Sequence, residues 1–109
     1  MFNIDEKPVF TRTVTTMVPK GEGHEPQTFK ATFNALDDEE IDGVPVGDTE
    51  KVKVLLRKMV TGLEDIADAA GEAVPFSDEL LEFMLKKSYV RIALLNAYFS
   101  GTVEGRSGN

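Results

Sequence analysis

The sequence predicts an α+β domain, with one or two N-terminal antiparallel β-hairpins packed on a small bundle of about three helices. Three observations predict it. Residues 8–36 hold two runs of β-branched, aromatic or alternating residues separated by a Gly/Pro loop. Residues 49–60 carry apolar side chains at the spacing of one helix face. Residues 74–101 form the stretch richest in large apolar side chains, and helix boundary signals stand at both of its ends. The expected domain covers residues 1–101, and residues 102–109, small and polar, are expected to be a flexible tail.

In residues 8–19, Val9, Phe10, Thr11, Thr13, Val14, Thr15, Thr16 and Val18 favour a strand, and Pro8 and Pro19 bracket them. Its two faces differ only weakly. Residues 20–27 are a polar loop with two glycines and a proline. In residues 28–36, Phe29, Ala31, Phe33 and Ala35 alternate with Thr28, Lys30, Thr32 and Asn34, which makes one dry face and one wet face. A hairpin alone is marginal in water, so Phe29 and Phe33 must lie on the helices or more strands must join.

Residues 37–42 can open a short helix, which Gly43-Val44-Pro45 then breaks. Asp48 or Thr49 caps a helix through Val60 whose buried stripe is Val52, Leu55, Leu56, Met59 and Val60. Residues 61–76 admit two readings. Asp68 to Gly71 fits a type I turn that would join Leu63–Ala67 to Ala73–Phe76 as a second hairpin. The alanines suit equally a helix extended through Ala70.

Ser77 is placed to cap a helix with Asp78 and Glu79 in its first turn, where carboxylates suit the positive end of the dipole. A break near Lys86–Ser88 separates this helix from a second, which Gly101 is placed to end. The second helix is apolar around most of its circumference, since Arg91 and Asn96 lie about 140° apart at helical spacing. Such a helix is either central in its own domain or covered by another chain. Tyr89, Ile92, Leu95, Tyr98 and Phe99 are therefore the candidate partner-binding residues, for another protein or for a second copy of the chain, with Tyr and Phe as interface anchors.

Composition narrows the function. The net charge of −7 comes from residues 37–50, which carry seven acids and no base. A chain without net cationic surface is a poor ligand for nucleic acid. There is no cysteine, hence no disulfide or thiolate metal site. The N-terminus has no secretory pattern, and no uncharged apolar stretch is long enough to span a bilayer. Asp38, Glu40, Asp42 and Gly43 begin like a calcium loop, but Thr49 stands where a bidentate Glu is needed and Pro45 interrupts the loop. His24 is the single histidine and has no companion ligand or nucleophile nearby in sequence. No catalytic residue, cofactor or metal is expected.

Two segments carry a resemblance to a known family. Gly71, then Val74-Pro-Phe-Ser77, then Glu79-Leu-Leu81, then Tyr89-Val-Arg91 and Ala97-Tyr-Phe99 resemble the tail assembly chaperones of long-tailed bacteriophages. The N-terminal part is similar too, in Pro8-Val9, Phe29-Lys-Ala-Thr-Phe33 and Asp38-Glu-Glu-Ile41, so that roughly two thirds of the chain is covered. Leu63 and Ser88 depart from the pattern, which has Trp and Pro there. The resemblance implies a late phage protein in the host cytoplasm, absent from the finished virion. It would bind the tape measure protein and keep it soluble while the tail tube assembles, with the tail tube protein as a second candidate partner. A structural tail or head–tail connector protein, or a small host-directed binding protein, are the alternatives.

Overall fold

The structure, a computed structural model, describes residues 1–104. In chain order the elements are β1 (Val9–Lys20), β2 (Gly23–Asn34), α1 (Asp38–Ile41), α2 (Thr49–Met59), β3 (Val60–Glu64), α3 (Asp78–Leu85) and α4 (Ser88–Glu104). The three strands form one antiparallel sheet in the order β1-β2-β3. The α+β architecture is as the sequence predicts.

The hairpin is longer than expected. The polar segment 20–27 shrinks to a two-residue turn between Lys20 and Gly23, and the rest joins the ladder. Gly21 takes φ +59 while Glu22 keeps a negative φ, the pattern of a II′ turn, which needs glycine first. Two prolines lie inside these strands, and the ladder explains why they are tolerated. The Ala35 N–H donates to the Pro8 carbonyl at 2.9 Å, so Pro8 and Ala35 form a hydrogen-bonded pair. Alternation then turns the backbone groups of Phe10, Arg12, Val14 and Thr16 toward β2, and those of Val9, Thr11, Thr13, Thr15 and Met17 toward the open edge. Pro19 falls in the outward row. Pro26 likewise faces away from β1, beyond Lys30, the last β2 residue of the ladder to β3.

The third strand comes from the segment that the sequence left open. Leu63 pairs with Ala31 of β2 instead of starting a hairpin with residues 73–76. The register shifts between Thr32 and Phe33, so that Thr61 is an extra residue. Val60 and Leu63 are an odd number apart and would otherwise face opposite ways. The bulge lets both point inward, at 4% and 3% exposure. The turn at Asp68 forms as read: the Gly71 N–H donates to the Asp68 carbonyl, and the Asp68 carboxylate accepts from the N–H groups of Ala70 and Glu72. Strand pairing there is reduced to a bridge between Ala67 and Ala73.

The helices cover one face of the sheet. Asp48 accepts from the Lys51 N–H and caps α2; Ser77 accepts from the Leu80 N–H and caps α3. The core joins Val14, Phe29, Ala31 and Phe33 of the sheet to Val52, Leu55, Leu56 and Met59 of α2, Leu81 and Leu85 of α3, and Val90, Ala93, Leu94 and Tyr98 of α4. Arg57 of α2 grips Glu82 of α3 through two hydrogen bonds of 2.6 and 2.7 Å, and this bonding, with the guanidinium charge, holds the Glu82 carboxyl below its usual range. Arg91 donates to the Leu85 carbonyl at 2.8 Å and ties α4 to the end of α3.

Gly101 does not end α4. The helix runs through it to Glu104, so the expected tail begins inside the helix, and residues 105–109 lie outside the described residues. The glycine serves another purpose. A Cβ there would stand 2.5 Å from Phe10 Cε2 and 3.1 Å from Arg12 Cδ. Ala93 and Ala97 share its helix face at four-residue spacing, so α4 approaches β1 on a strip of small residues. Phe10 is itself wedged against Phe33 and Tyr98, at ring distances of 5.4 and 5.6 Å, and has little room to retreat. Gly101→Ala is therefore expected to destabilise the chain by up to about 2 kcal/mol in urea unfolding: overpacking costs ~1–3 kcal/mol, against ~1 kcal/mol of helix propensity gained.

Candidate functional site

The hairpin extends past β3, and its outer half has no third strand beside it. Between that outer half, the 65–74 loop and the α3–α4 corner lies an open groove of about 610 Å³. Each wall follows from a local pattern. The inward row of β1 continues from Val14 to Thr16 and Val18, and that of β2 from Phe29 to Gln27. The loop after β3 supplies Asp65, Ile66, Ala67 and Val74. Helix α3 turns Leu81 and Leu85 into the core and sets Leu80, Phe83 and Met84, with Lys87 beyond its end, along the groove at i, i+3, i+4 and i+7. Tyr89 and Val90 at the start of α4 complete it.

The lining is mostly apolar; its polar residues are Thr16, Gln27, Thr28, Asp65, Asp68 and Lys87, and three of them stand out. Thr16 is 3% exposed, and its Oγ1 has no hydrogen-bond partner. A buried hydroxyl left unpaired costs on the order of 1–3 kcal/mol, and valine would fill the same space without that cost. Asp65 takes φ +62, the only positive φ at a non-glycine residue among those described, in a conformation disfavoured for any side chain. Lys87 Nζ sits 4.2 Å from the centroid of the Phe83 ring, a cation–π contact on the rim. Phe83 is nevertheless 53% exposed.

The sequence-predicted partner-binding residues do not form one patch. Tyr89 lines the groove. Ile92 and Phe99 stand on the outer face of α4, at 59% and 43% exposure. Leu95 is half-buried against the core. Tyr98 is a correction: it is 2% exposed and cannot meet a partner. Its ring packs edge-on to Phe33 at 5.6 Å, and its hydroxyl accepts the Leu36 N–H at 2.8 Å. The helix is apolar on several sides because it has three neighbours, the sheet beneath and α2 and α3 beside it, so Tyr98 belongs to its own domain's core.

Sequence reasoning missed Thr16, Asp65, Phe83, Met84 and Lys87. Phe83 and Met84 had a signal in the Leu80/Phe83/Met84 spacing. Thr16 had one only through strand parity, as the hydroxyl in an inward row otherwise held by Phe10, Arg12, Val14 and Val18. Asp65 had none, since its strain arises from how the loop leaves β3.

Elsewhere, His24 is exposed on β2 opposite Pro19. The displaced titrations belong to the Lys20–Glu25 and Arg57–Glu82 pairs, each set mainly by the hydrogen bond between the partners. Among the described residues, no group of three or more His, Asp or Glu side chains is placed to hold a metal ion, and no helix is long and apolar enough to cross a membrane. Compared with protein-family models, with curated proteins and with solved structures, the chain matches none.

Proposed function

We propose that this chain is a binding protein without catalytic chemistry, which holds an apolar segment of another polypeptide in the groove between the hairpin and α3. The observation that carries the reading is the groove itself: an open apolar trough whose rim leaves Phe83 half in water. Exposed aromatic side chains on a rigid helix are favourable anchors for a partner. The acidic segment 37–50 runs from α1 into the first turn of α2, contributes no residue to the groove lining, and suits a body that keeps a coated apolar chain dispersed. Within this class, the resemblance to phage tail assembly chaperones makes the tape measure protein the partner, held soluble in the host cytoplasm before the tail tube closes on it.

Co-expression with a tape measure protein tests the reading. The wild-type chain is expected to carry that protein into the soluble fraction. Phe83→Asp is expected to abolish the effect while circular dichroism stays unchanged, because the Phe83 side chain adds little to the core. A soluble partner in the presence of Phe83→Asp would count against the groove. Many copies of the chain in purified virions would favour a structural tail protein instead.

A further inference from the structure

The groove holds a polar group that the fold does not use. Thr16 continues the inward row of Val14, is almost wholly buried, and has an Oγ1 without a partner. Thr16 lines the groove, and a 120° rotation about χ1 moves its oxygen to another of the three staggered positions on Cβ without backbone movement. The surrounding walls are aromatic and soft, with Phe29, Phe83 and Tyr89 beside the Met84 thioether, surfaces that suit a flat ring. On the rim, Asp65 and Asp68 place negative charge, while Lys87 is engaged over Phe83. That field favours the electropositive edge of a ring bearing an N–H or O–H over an anionic or acceptor-tipped group.

We propose that the groove contains a subsite for an aromatic side chain with a donor at its edge, the indole or phenol of a partner polypeptide, whose N–H or O–H is accepted by Thr16 Oγ1. This rests on the reading that the groove receives a segment of another chain, and it names the residue type that anchors that segment. It also accounts for a threonine where valine would be more stable in isolation: the hydroxyl is unsatisfied only while the groove is empty.

The test uses the full chain and N-acetyl-tryptophanamide, with its 1-methylindole analogue as the probe lacking the N–H. Binding is followed by the amide shifts of groove residues. The chain has no tryptophan, so the indole N–H of the probe is read without background. The wild type is expected to prefer the N–H probe by roughly fivefold or more, the factor that one net hydrogen bond supplies. Thr16→Ser should keep that preference. Thr16→Val should bind both probes alike and melt at a higher temperature than the wild type, a combination that a purely structural threonine would not produce. Equal binding of the two probes by the wild type, a preference that survives in Thr16→Val, or no shift at the groove with either probe would each overturn the subsite. Those results would leave the groove reading standing as long as Phe83→Asp still abolishes partner solubility. If Phe83→Asp leaves the partner soluble, that reading fails, and the subsite with it.

Discussion

Tyr98→Asp will leave the chain unfolded, not folded and merely unable to associate. The ring is 2% exposed and packs against Phe10, Phe33 and Phe99 at 5.6, 5.6 and 5.2 Å. Truncating a large buried aromatic costs about 3–5 kcal/mol through lost transfer energy and cavity. A carboxylate in that place adds several kcal/mol of desolvation or forces its own protonation. Together these approach the whole of a small domain's stability, typically ~5–15 kcal/mol. The hydroxyl contributes separately. It accepts the Leu36 N–H at 2.8 Å, where the chain leaves the sheet. Tyr98→Phe keeps the packing but orphans that N–H, for an expected loss of about 1–2 kcal/mol in urea unfolding. Ile92→Asp and Phe99→Asp are the counterparts. Both side chains are substantially exposed, at 59% and 43%, so helical circular dichroism should persist in each. A folded Tyr98→Asp chain would show that α4 is not seated on the core as described.

Val14→Pro and Thr13→Pro, one residue apart, should differ by more than about 3 kcal/mol in stability. Val14 is fully buried, and the ladder turns its N–H toward Phe29 on β2. Proline there removes an internal hydrogen bond, leaves the facing carbonyl unpaired beneath the helices and replaces a well-packed side chain. At Thr13 the N–H points to the open edge, and the side chain is on the wet face. Proline at that site removes nothing from the β1–β2 ladder, just as the native Pro19 does in the same row. Thermal unfolding of the two variants decides it. If they are equally destabilised, the parity derived from the Pro8–Ala35 pair is wrong.

How much of this was legible in the chain depended on whether the signal was local. The caps at Asp48 and Ser77, the α2 stripe and the break between α3 and α4 were readable, because a helix end needs a side chain within three residues to satisfy its N–H groups. The dry face of Phe29, Ala31 and Phe33 was readable for the same kind of reason, a period of two. The strand Val60–Glu64 was not. A five-residue strand with a bulge has no clean alternation, and Val60 and Leu63 agree in direction only because β2 accepts the extra Thr61. The ends of the hairpin were hidden by Pro19 and Pro26, whose meaning depends on which neighbour each N position faces. Among the candidate site residues, Tyr89 reached a groove, whereas Tyr98 went to the core: nine positions apart they lie on opposite sides of the helix, but which side the sheet would cover was not written in it.

The sequence alone determined the class of fold, the N-caps of α2 and α3, the acidic segment and the excess of apolar side chains near its end. Each of these is written in neighbouring residues. Tertiary structure alone decided which of those side chains the excess consists of, why Gly101 must be small, and that Thr16 has an unused hydroxyl beneath a groove. The physical reason is that burial and hydrogen-bond satisfaction belong to pairs of segments far apart along the chain. They take values only once β1, the 65–74 loop and the α3–α4 corner have been brought together.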